Sequence, residues 1–430
     1  MKKLLMLFVL LYTPLLLASI QLIKKENNDS NTTLLVIGGI HGNEPGGYFA
    51  PAILAMHYTI TSKNLWIVPN LNEDSIIANK RGIHGDMNRK FATIKKNDKD
   101  KATVDAIKKI ILEKKVSLVL NLHDGHGFYR KKDQNSIFNP NAWGQTCVID
   151  QCYLNKNKPF GNLNDIACTV KNNINKQLLQ KHHTFNVKNT ETKFKDEQMR
   201  LSLTYFAITH NKPAFAIETS KSLSSLSQKV FYQLLAIEEY MKIVGIGFHR
   251  DFNLNLKSIA KLIKDYGTLE INHNILLHLS DIKKSLSYIP IKSRSNTFSF
   301  SHLLGVVKKN KQGAYEVYIG NKKITTLHPQ YFKMSQNCPQ TYKIEADGKL
   351  ISLKKASSFS VNDDFKIIKN KNYRVNVIGY YAKNRKDESN ITISKKDLGT
   401  RYAIDKANTN YRIEFYKNNG FCSMITVKFK

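Results

Sequence analysis

The spacing of apolar positions along the chain changes near residue 250. From about residue 30 to residue 250, short apolar runs alternate with longer stretches of helical periodicity. The runs read TTLLVIGGI, NLWIVPNL, VSLVLNLH and KPAFAIET, and the helical stretches include KATVDAIKKIILEKK and LSQKVFYQLLAIEEYMKIV. Buried strands that alternate with helices predict an α/β domain whose sheet is at least partly parallel.

The rest of the chain shows the two-residue alternation of half-buried strands. Runs such as YEVYIG, YKIEA, YRVNVIGYY and MITVKF are separated by clusters of Asn, Asp, Gly and Lys. This pattern predicts two small all-β domains of sandwich or barrel type. We therefore predict an α/β catalytic domain over 20–250, a β-rich domain over 251–341 and an immunoglobulin-like β-sandwich over 342–430.

The first nineteen residues have the pattern of a secretory signal. Lys2 and Lys3 precede an apolar stretch broken by Pro14, and the small residues Ala18 and Ser19 follow. This order predicts a signal peptide over 1–19 and a mature protein that is exported to the periplasm without a stable membrane span. An uncleaved membrane anchor is the alternative, although the apolar stretch is short for a span.

The chain is strongly basic, with 66 Lys and Arg against 34 acidic residues and a formal net charge of +32. The basic residues are scattered among Asn and Ser and do not form a patterned basic helix, so we predict no nucleic-acid partner. An anionic cell wall or membrane surface fits this charge better. A solvated, Lys-rich surface without a specific partner explains it equally simply.

The five cysteines are an odd number, so at least one has no partner within the chain. Cys147 and Cys152 are close enough in sequence for a small disulfide loop, and Cys338 with Cys422 could bracket the last domain. No CxxC metal pair occurs in the sequence. We therefore expect structural roles for the cysteines, with disulfides in an oxidising compartment.

Polar side chains follow four predicted strands of the α/β domain, at the edge where open sheets bind their ligands. In chain order they are His41 and Glu44, then Arg81, Asp86, Asn88 and Arg89, then His123, and finally Glu218. Two imidazoles and a carboxylate suit Zn²⁺, and three protein ligands leave a fourth position for water or substrate. The sequence therefore predicts a catalytic metal site with one zinc ion at this edge.

Several of these residues have a simpler alternative. His126 follows His123 by three positions and could be the ligand in its place. Arg81 could be a surface residue of a basic protein, and Glu218 could cap the helix that follows it. We favour His123 because it ends the strand, and Glu218 as a functional residue because it ends so apolar a strand.

The segments GGIHGNEPGG, RGIHGDMNR, LNLHDGHG and FAIET, within roughly residues 30 to 245, resemble the zinc metallocarboxypeptidase family. The resemblance implies that His41, Glu44 and His123 bind one Zn²⁺ ion. It also implies that Asp86 is a partner of the first zinc-binding imidazole. The carboxypeptidase-like mixed sheet with flanking helices is the fold that it implies.

The same resemblance assigns roles toward the substrate. Asn88 and Arg89 would hold the free carboxylate of the substrate, Arg81 would polarise the scissile carbonyl, and Glu218 would be the general base. The larger digestive members also carry a mobile Tyr before the catalytic Glu, whereas the one Tyr in ETKFKDEQMRLSLTYFAI is Tyr205, in an apolar run typical of a core. Trp143, in NPNAWGQTC, is a candidate substrate-binding wall, with a core role as the alternative.

One exported subgroup of the family is most similar to this chain: the peptidoglycan DL-carboxypeptidases that trim tripeptides to dipeptides and influence helical cell shape. The signal, the H-x-x-E-P-G-G loop and the two β domains match that subgroup. The resemblance implies hydrolysis of the bond between the γ-carboxyl of D-Glu and meso-diaminopimelate, with muropeptide tripeptide stems as partners. The alternatives are a zinc deacylase of the succinylglutamate desuccinylase and aspartoacylase type, and a non-catalytic wall-binding protein.

Overall fold

The computed structural model describes residues 20–27, 30–154 and 157–430. The predicted signal peptide over 1–19 therefore lies outside the described residues. Among the described helices, none has the length and apolar character needed to cross a bilayer.

A mixed sheet of seven strands is the centre of the first domain. The strands of this domain are β1 (Ile23–Lys25), β2 (Thr33–Ile37), β3 (Tyr58–Ile60), β4 (Asn64–Val68), β5 (Val116–Gly125), β6 (Phe128–Tyr129), β7 (Phe138–Asn139), β8 (Thr146–Ile149), β9 (Asn186–Asn189), β10 (Ala214–Ser220) and β11 (Phe248–Arg250). The sheet order is β1-β4-β2-β5-β10-β8-β9, and the four strands from β4 to β10 run parallel. Strands β2 and β4 are buried along their whole length, as expected for parallel strands that are covered on both faces.

Helices cover both faces of this sheet. They are α1 (Pro45–His57), α2 (Glu73–Ile77), α3 (Lys101–Leu112), α4 (Leu163–Ile174), α5 (Thr192–Lys195), α6 (Leu203–Thr209), α7 (Leu226–Val244) and α8 (Leu256–Lys264). In the sheet, β4 lies on one side of β2 and β5 lies on the other. The chain therefore moves across the sheet in one direction from β2 through α1 to β4, and in the other direction from β4 through α3 to β5. Because both crossovers are right-handed, α1 and α3 lie on opposite faces of the sheet. Helices α1 and α4 both pack against α7, the longest helix of the described chain, most of whose residues are buried.

Two β-rich units follow, and they confirm the predicted fold class of an α/β domain with two small β domains. The first contains β12 (Thr268–Ile271), β13 (Ile275–His278), β14 (Ser285–Ile291), β15 (Phe298–Phe300), β16 (Gly305–Lys309), β17 (Tyr315–Ile319) and β18 (Lys322–Tyr331). The second contains β19 (Thr341–Ala346), β20 (Lys349–Lys354), β21 (Ser358–Val361), β22 (Asp364–Ile367), β23 (Arg374–Val377), β24 (Thr392–Ser394), β25 (Asn410–Lys417) and β26 (Gly420–Phe429). In the second unit, two four-stranded sheets enclose a core of their own, as in a sandwich. The boundaries at 250 and 341 stay a prediction.

The first β unit packs against helix α1 of the α/β domain. A Cβ atom on Gly320 would lie 3.1 Å from the ring of Tyr48 and 3.3 Å from that of Phe49, so the backbone of this turn approaches α1 closely. Gly320 has a φ of +56°, which glycine adopts readily. His302 contacts Phe49 with the ring centroids 6.5 Å apart. Helix α1 is therefore held from both sides, by α7 and by the first β unit.

The cysteine predictions have mixed outcomes. Cys338 and Cys422 form a disulfide with their Cα atoms 5.6 Å apart, which joins the segment between β18 and β19 to β26. The small loop between Cys147 and Cys152 is wrong, since both of these residues and Cys168 carry free thiols. Cys147 is fully buried in β8 beneath the helices, whereas Cys152 lies beyond the end of that strand, so the extended backbone keeps the two thiols apart.

Candidate metal centre and active site

The turn between β2 and α1 delivers His41 and Glu44 to the edge of the sheet. Gly39 has a φ of +72°, a conformation that residues with a side chain seldom adopt. A Cβ atom on Gly42 would lie 1.9 Å from the carbonyl oxygen of Ser75, so this position has no room for a side chain. The two glycines let the chain reverse closely over α2 before α1 begins at Pro45.

His41, Glu44 and His123 form one buried cluster, in which each residue is 3% exposed or less. The Nδ1 atom of His41 lies 3.0 Å from Oε1 of Glu44, and the Nδ1 atom of His123 lies 2.9 Å from Oε2. Ligand atoms of all three residues lie within 4.8 Å of one another. The carboxylate therefore sits between two imidazoles that both present Nδ1 to it.

The charges of this cluster fit a divalent cation. Burial raises the pKa of Glu44, but the two imidazoles more than offset this and hold that pKa well below its usual range. Burial lowers the pKa of His41, but Glu44 and Asp86 outweigh burial, so the pKa of His41 is raised. For His123 the effect of burial is the larger one, so the pKa of His123 is lowered. Anionic Glu44 and neutral His123 are in the protonation state that metal ligands need, and His41 would release its proton when a metal binds. The residues present therefore fit a bound metal ion.

Each imidazole is also held from its far side. The Nε2 atom of His41 lies 2.8 Å from Oδ1 of Asp86, and the Nε2 atom of His123 lies 2.8 Å from Nδ2 of Asn121. Burial raises the pKa of Asp86, but His41 and Arg81 reverse this effect and lower it. These partners fix the orientation of both rings, which is the arrangement that tunes metal ligands in proteins.

A cavity of about 230 Å³ opens in front of the cluster. Its floor is the face of the sheet formed by alternate residues of β5 and β10, because side chains two apart on a strand point the same way. Glu218 and His123 are partners in the parallel register of these strands, as are Ala216 and Asn121. Glu218 thus stands beside the cluster of His41, Glu44 and His123, on the same face of the sheet.

Glu218 has the environment of a group that exchanges protons. Its side chain is half-buried, and its carboxylate forms no hydrogen bond with any of the described residues. Removal from water and the negative charge of Glu44 raise its pKa well above the usual range for Glu, against the opposing effect of Arg81. A carboxylate with a raised pKa is a stronger base, which suits general acid–base chemistry near neutral pH.

Three cationic side chains line the same cavity. Arg81 donates from Nη1 to Glu44 over 3.2 Å and from Nε to Asp86 over 2.9 Å. Lys221 lies with Nζ 3.4 Å from Oε1 of Glu44. Arg89 donates one Nη1 hydrogen bond to the backbone carbonyl of Asn88, and within the described residues its guanidinium forms no other hydrogen bond.

The structure brings nearly all predicted site residues around this one cavity. His41, Glu44, Arg81, Asn88, Arg89, His123, Trp143 and Glu218 line it. Asp86 lies behind His41 and outside the lining. His126 is exposed at the cavity wall and outside the three-residue cluster, and Tyr205 is absent from the lining.

Sequence reasoning missed several members of the site. Asn121 precedes His123 by two positions in LNLH. Because alternate residues of a strand face the same side of the sheet, this spacing could have indicated that Asn121 faces the site. Met199 and Thr204 line the cavity from the stretch that contains Tyr205. Lys221 gave no signal, since one more Lys stands out little in so basic a chain.

Comparisons with known proteins place the chain in a family. Residues 1–264 match a family model described as the catalytic part of the carboxypeptidase controlling helical cell shape, and residues 335–430 match one described as the C-terminal domain of metallo-carboxypeptidase. The chain belongs to this family of cell-shape carboxypeptidases. The predicted metallocarboxypeptidase relationship is thereby confirmed. No protein in the curated sequence collections matches the chain.

Solved structures similar to this chain include the cell shape determinant protein Csd4 from Helicobacter pylori. The apo form of Csd4 is 36% identical, with a TM-score of 0.89 over 96% of this chain and 100% of that one. Its mDAP-bound form, described as a D,L-carboxypeptidase, is 37% identical, with a TM-score of 0.89 over 95% and 100% of the two chains. A tripeptide-bound form is 36% identical with a TM-score of 0.88, over 96% and 100%. Similarity at this level extends through both β units.

Proposed function

We propose that this cell-shape carboxypeptidase hydrolyses the bond between the γ-carboxyl of D-Glu and meso-diaminopimelate in peptidoglycan tripeptides. The observation that carries the proposal is the convergence of a buried His41, Glu44 and His123 cluster with Glu218 and Arg89 around one cavity. The similarity to Csd4, whose mDAP-bound form is described as a D,L-carboxypeptidase, supports the choice of substrate. The product is a dipeptide stem, and the removal of meso-diaminopimelate contributes to cell shape.

The cationic side chains of the cavity support a substrate rich in carboxylates. Arg89 offers a planar fork that binds a carboxylate through two parallel hydrogen bonds. Asn88 accepts a hydrogen bond from the backbone N–H of Leu203 through Oδ1 at 3.0 Å, which orients its amide N–H groups. We assign this pair to the carboxylate at the L-centre of diaminopimelate, and Trp143 to the wall beside the leaving group.

The proposed cofactor is one Zn²⁺ ion held by His41, Glu44 and His123. When bound, such an ion supplies a water of lowered pKa and polarises the substrate carbonyl. Glu218 accepts the proton of the attacking water and returns it to the leaving amine of diaminopimelate. Arg81 donates hydrogen bonds to the negative charge that develops on the carbonyl oxygen, and its position in the cavity lining beside Glu44 supports this role.

The location and domain organisation belong to the same proposal. We infer a protein exported by the signal at 1–19 to the periplasm, where the wall peptide is found. The catalytic domain over 20–250 is followed by β domains over 251–341 and 342–430. Strands β12 to β18 fall within the first range, and β19 to β26 fall within the second except that β19 begins one residue earlier, at Thr341, which supports this division.

Incubation of zinc-loaded protein with muramyl tripeptide, followed by mass spectrometry, tests the proposal. We expect the dipeptide stem and free meso-diaminopimelate to appear. A matched peptide with a D-centre at the carboxylate next to the scissile amide is the control, and it should remain uncut. Absence of dipeptide from the zinc-loaded protein would refute the proposed reaction.

A further inference from the structure

Two surface cavities of the β units adjoin each other and are rich in tyrosine. One, of about 880 Å³, lies on the last unit, and the other, of about 370 Å³, lies between the two β units. Arg401 and Tyr402 line both cavities, so the two adjoin at these residues, and we call the pair of cavities the tyrosine groove. None of the residues around the catalytic cavity belongs to it.

The tyrosine groove exposes aromatic rings that a folded domain ordinarily covers. Tyr381 is 81% exposed, Tyr288 is 67% exposed and Tyr402 is 38% exposed. Clusters of exposed large apolar side chains mark binding surfaces more often than isolated ones do. A tyrosine ring combines an apolar face with a polar hydroxyl, which suits a partner that carries both kinds of group.

The backbone holds two of these tyrosines in place. The N–H of Gly399 donates to the carbonyl of Gly379 over 3.0 Å, which ties the Tyr381 segment to the Tyr402 turn. Gly379 has a φ of +111°, and a Cβ atom there would lie 3.1 Å from Tyr402. The rings of Tyr381 and Tyr402 are therefore presented by one fixed corner.

Tyr288 is presented by an irregularity in a strand. The register of β14 against β18 shifts between Leu286 and Ile289, and Tyr288 has a φ of +58°. Bulky residues seldom adopt this left-handed conformation, and such strain is common where a side chain is held for binding. The buried Arg412 donates to the carbonyl of Tyr288 over 3.1 Å and so fixes the bulge from the other β unit.

The charge of the tyrosine groove is strongly positive. Six cationic residues line it: Lys283, Arg374, Arg385, Lys386, Arg401 and Arg412. Within the described chain its lining includes one carboxylate, Glu388, which already accepts a hydrogen bond from the backbone N–H of Val377. The groove therefore attracts an anionic partner.

We propose that the tyrosine groove binds a peptidoglycan glycan strand together with the carboxylates of its stem peptides. Sugar rings have apolar C–H faces that stack on tyrosine rings, and stem carboxylates pair with guanidinium groups. The proposal rests on the proposed function, because it takes the occupant from the polymer that carries the tripeptide. The β units would thus hold the enzyme on its insoluble substrate.

Sedimentation of the full-length protein with purified sacculi at about 0.15 M salt tests this inference. The variant carries Tyr288→Ser, Tyr381→Ser and Tyr402→Ser. The matched control carries Tyr153→Ser, Phe194→Ser and Tyr331→Ser, three exposed aromatic residues outside the groove. We expect the apparent dissociation constant to rise at least tenfold for the groove variant and to stay within twofold for the control.

The charge component has a separate pair of variants. Arg385→Gln with Lys386→Gln should weaken sacculus binding severalfold, whereas Lys395→Gln with Lys396→Gln, outside the groove, should leave it unchanged. Wild-type affinity in the tyrosine variant would overturn the proposal. Tighter binding of the wild type to anionic phospholipid vesicles than to sacculi would overturn it as well.

Hydrolysis of soluble muramyl tripeptide separates this inference from the proposed function. All variants should retain the wild-type kcat/KM on that small substrate, since none of the changed residues lines the catalytic cavity. Loss of sacculus binding with full tripeptide hydrolysis supports the groove. Failure of the wild type to cut tripeptide would refute the reaction and leave sacculus binding to be judged from the sedimentation result.

Discussion

Replacement of Asn121 by Leu removes the group that faces the far nitrogen of His123. Asn121 is fully buried in β5, its Nδ2 atom lies 2.8 Å from Nε2 of His123, and its Oδ1 atom has no partner among the described residues. A half-turn of the amide exchanges the two atoms and presents Oδ1 to an Nε2–H. Asn121 can therefore serve either tautomer of the imidazole.

The cost of the Asn121→Leu change falls on the metal-bound state. With Nδ1 of His123 engaged by a metal, the proton must sit on Nε2, where Leu offers no acceptor. Without metal, the proton can move to Nδ1 and reach Glu44 at 2.9 Å. A buried donor left unsatisfied costs about 1–3 kcal/mol. Since about 1.4 kcal/mol corresponds to a factor of ten, we expect roughly 10- to 100-fold weaker zinc binding.

Competition with a chromophoric chelator measures this loss directly. Asn121→Asp keeps an acceptor that faces Nε2 of His123. This variant should therefore bind zinc at least tenfold more tightly than Asn121→Leu. Asn274→Leu is the matched control, because Asn274 is also buried with an unpartnered Oδ1 but lies in the first β unit. Zinc affinity of Asn121→Leu within twofold of the wild type, in a folded protein, would refute the reasoning.

Three further predictions concern the substrate, the domain contact and the disulfide. Arg89→Lys removes the bidentate fork, so KM for tripeptide should rise roughly tenfold or more while kcat changes little; a change in kcat alone would contradict this role. Burial lowers the pKa of His302 from 6.5 to about 4, although Asp265 acts in the opposite direction. The contribution of the neutral, buried imidazole to folding stability is therefore fully present above pH 6.5. This contribution is lost as the pH falls from 6.5 toward 4, because the unfolded chain binds the proton first. This loss is about 3 kcal/mol, and urea unfolding of His302→Gln should show a correspondingly smaller fall between pH 7 and pH 4 than the wild type. Joint Cys338→Ser and Cys422→Ser changes should destabilise the last β unit by about 2–4 kcal/mol in guanidinium unfolding, with tripeptide hydrolysis unaffected; equal stability with and without the disulfide would contradict this.

The sequence predicts best those strands of the fold that are buried on both faces along most of their length. Strands β2, β4, β5 and β10 are rich in apolar residues. The polar residues at or beyond their carboxyl ends reach one sheet edge because the strands are parallel. The same regularity brings His41, His123 and Glu218 to one cavity in the structure.

Tertiary contacts override local signals in the elements that sequence reasoning missed. Helix α1 begins with Pro and two Gly residues and contains Pro51, which locally indicate a turn. A Cβ atom on Gly47 would lie 2.8 Å from the carbonyl oxygen of Leu122, so the glycine allows α1 to approach β5. Strand β9 is polar because it lies at the edge of the sheet, which hides it from a search for apolar runs.

The rate of diaminopimelate release from muramyl tripeptide, compared between wild-type protein and Glu218→Gln at equal zinc occupancy, tests the central claim most directly. The proposed role of Glu218 as the general base predicts release by the wild type and a rate about 10²- to 10⁴-fold lower in the variant. Equal zinc content in both proteins, from metal analysis, assigns the loss to proton transfer. Equal rates in the two proteins, or no release by either, would contradict the account.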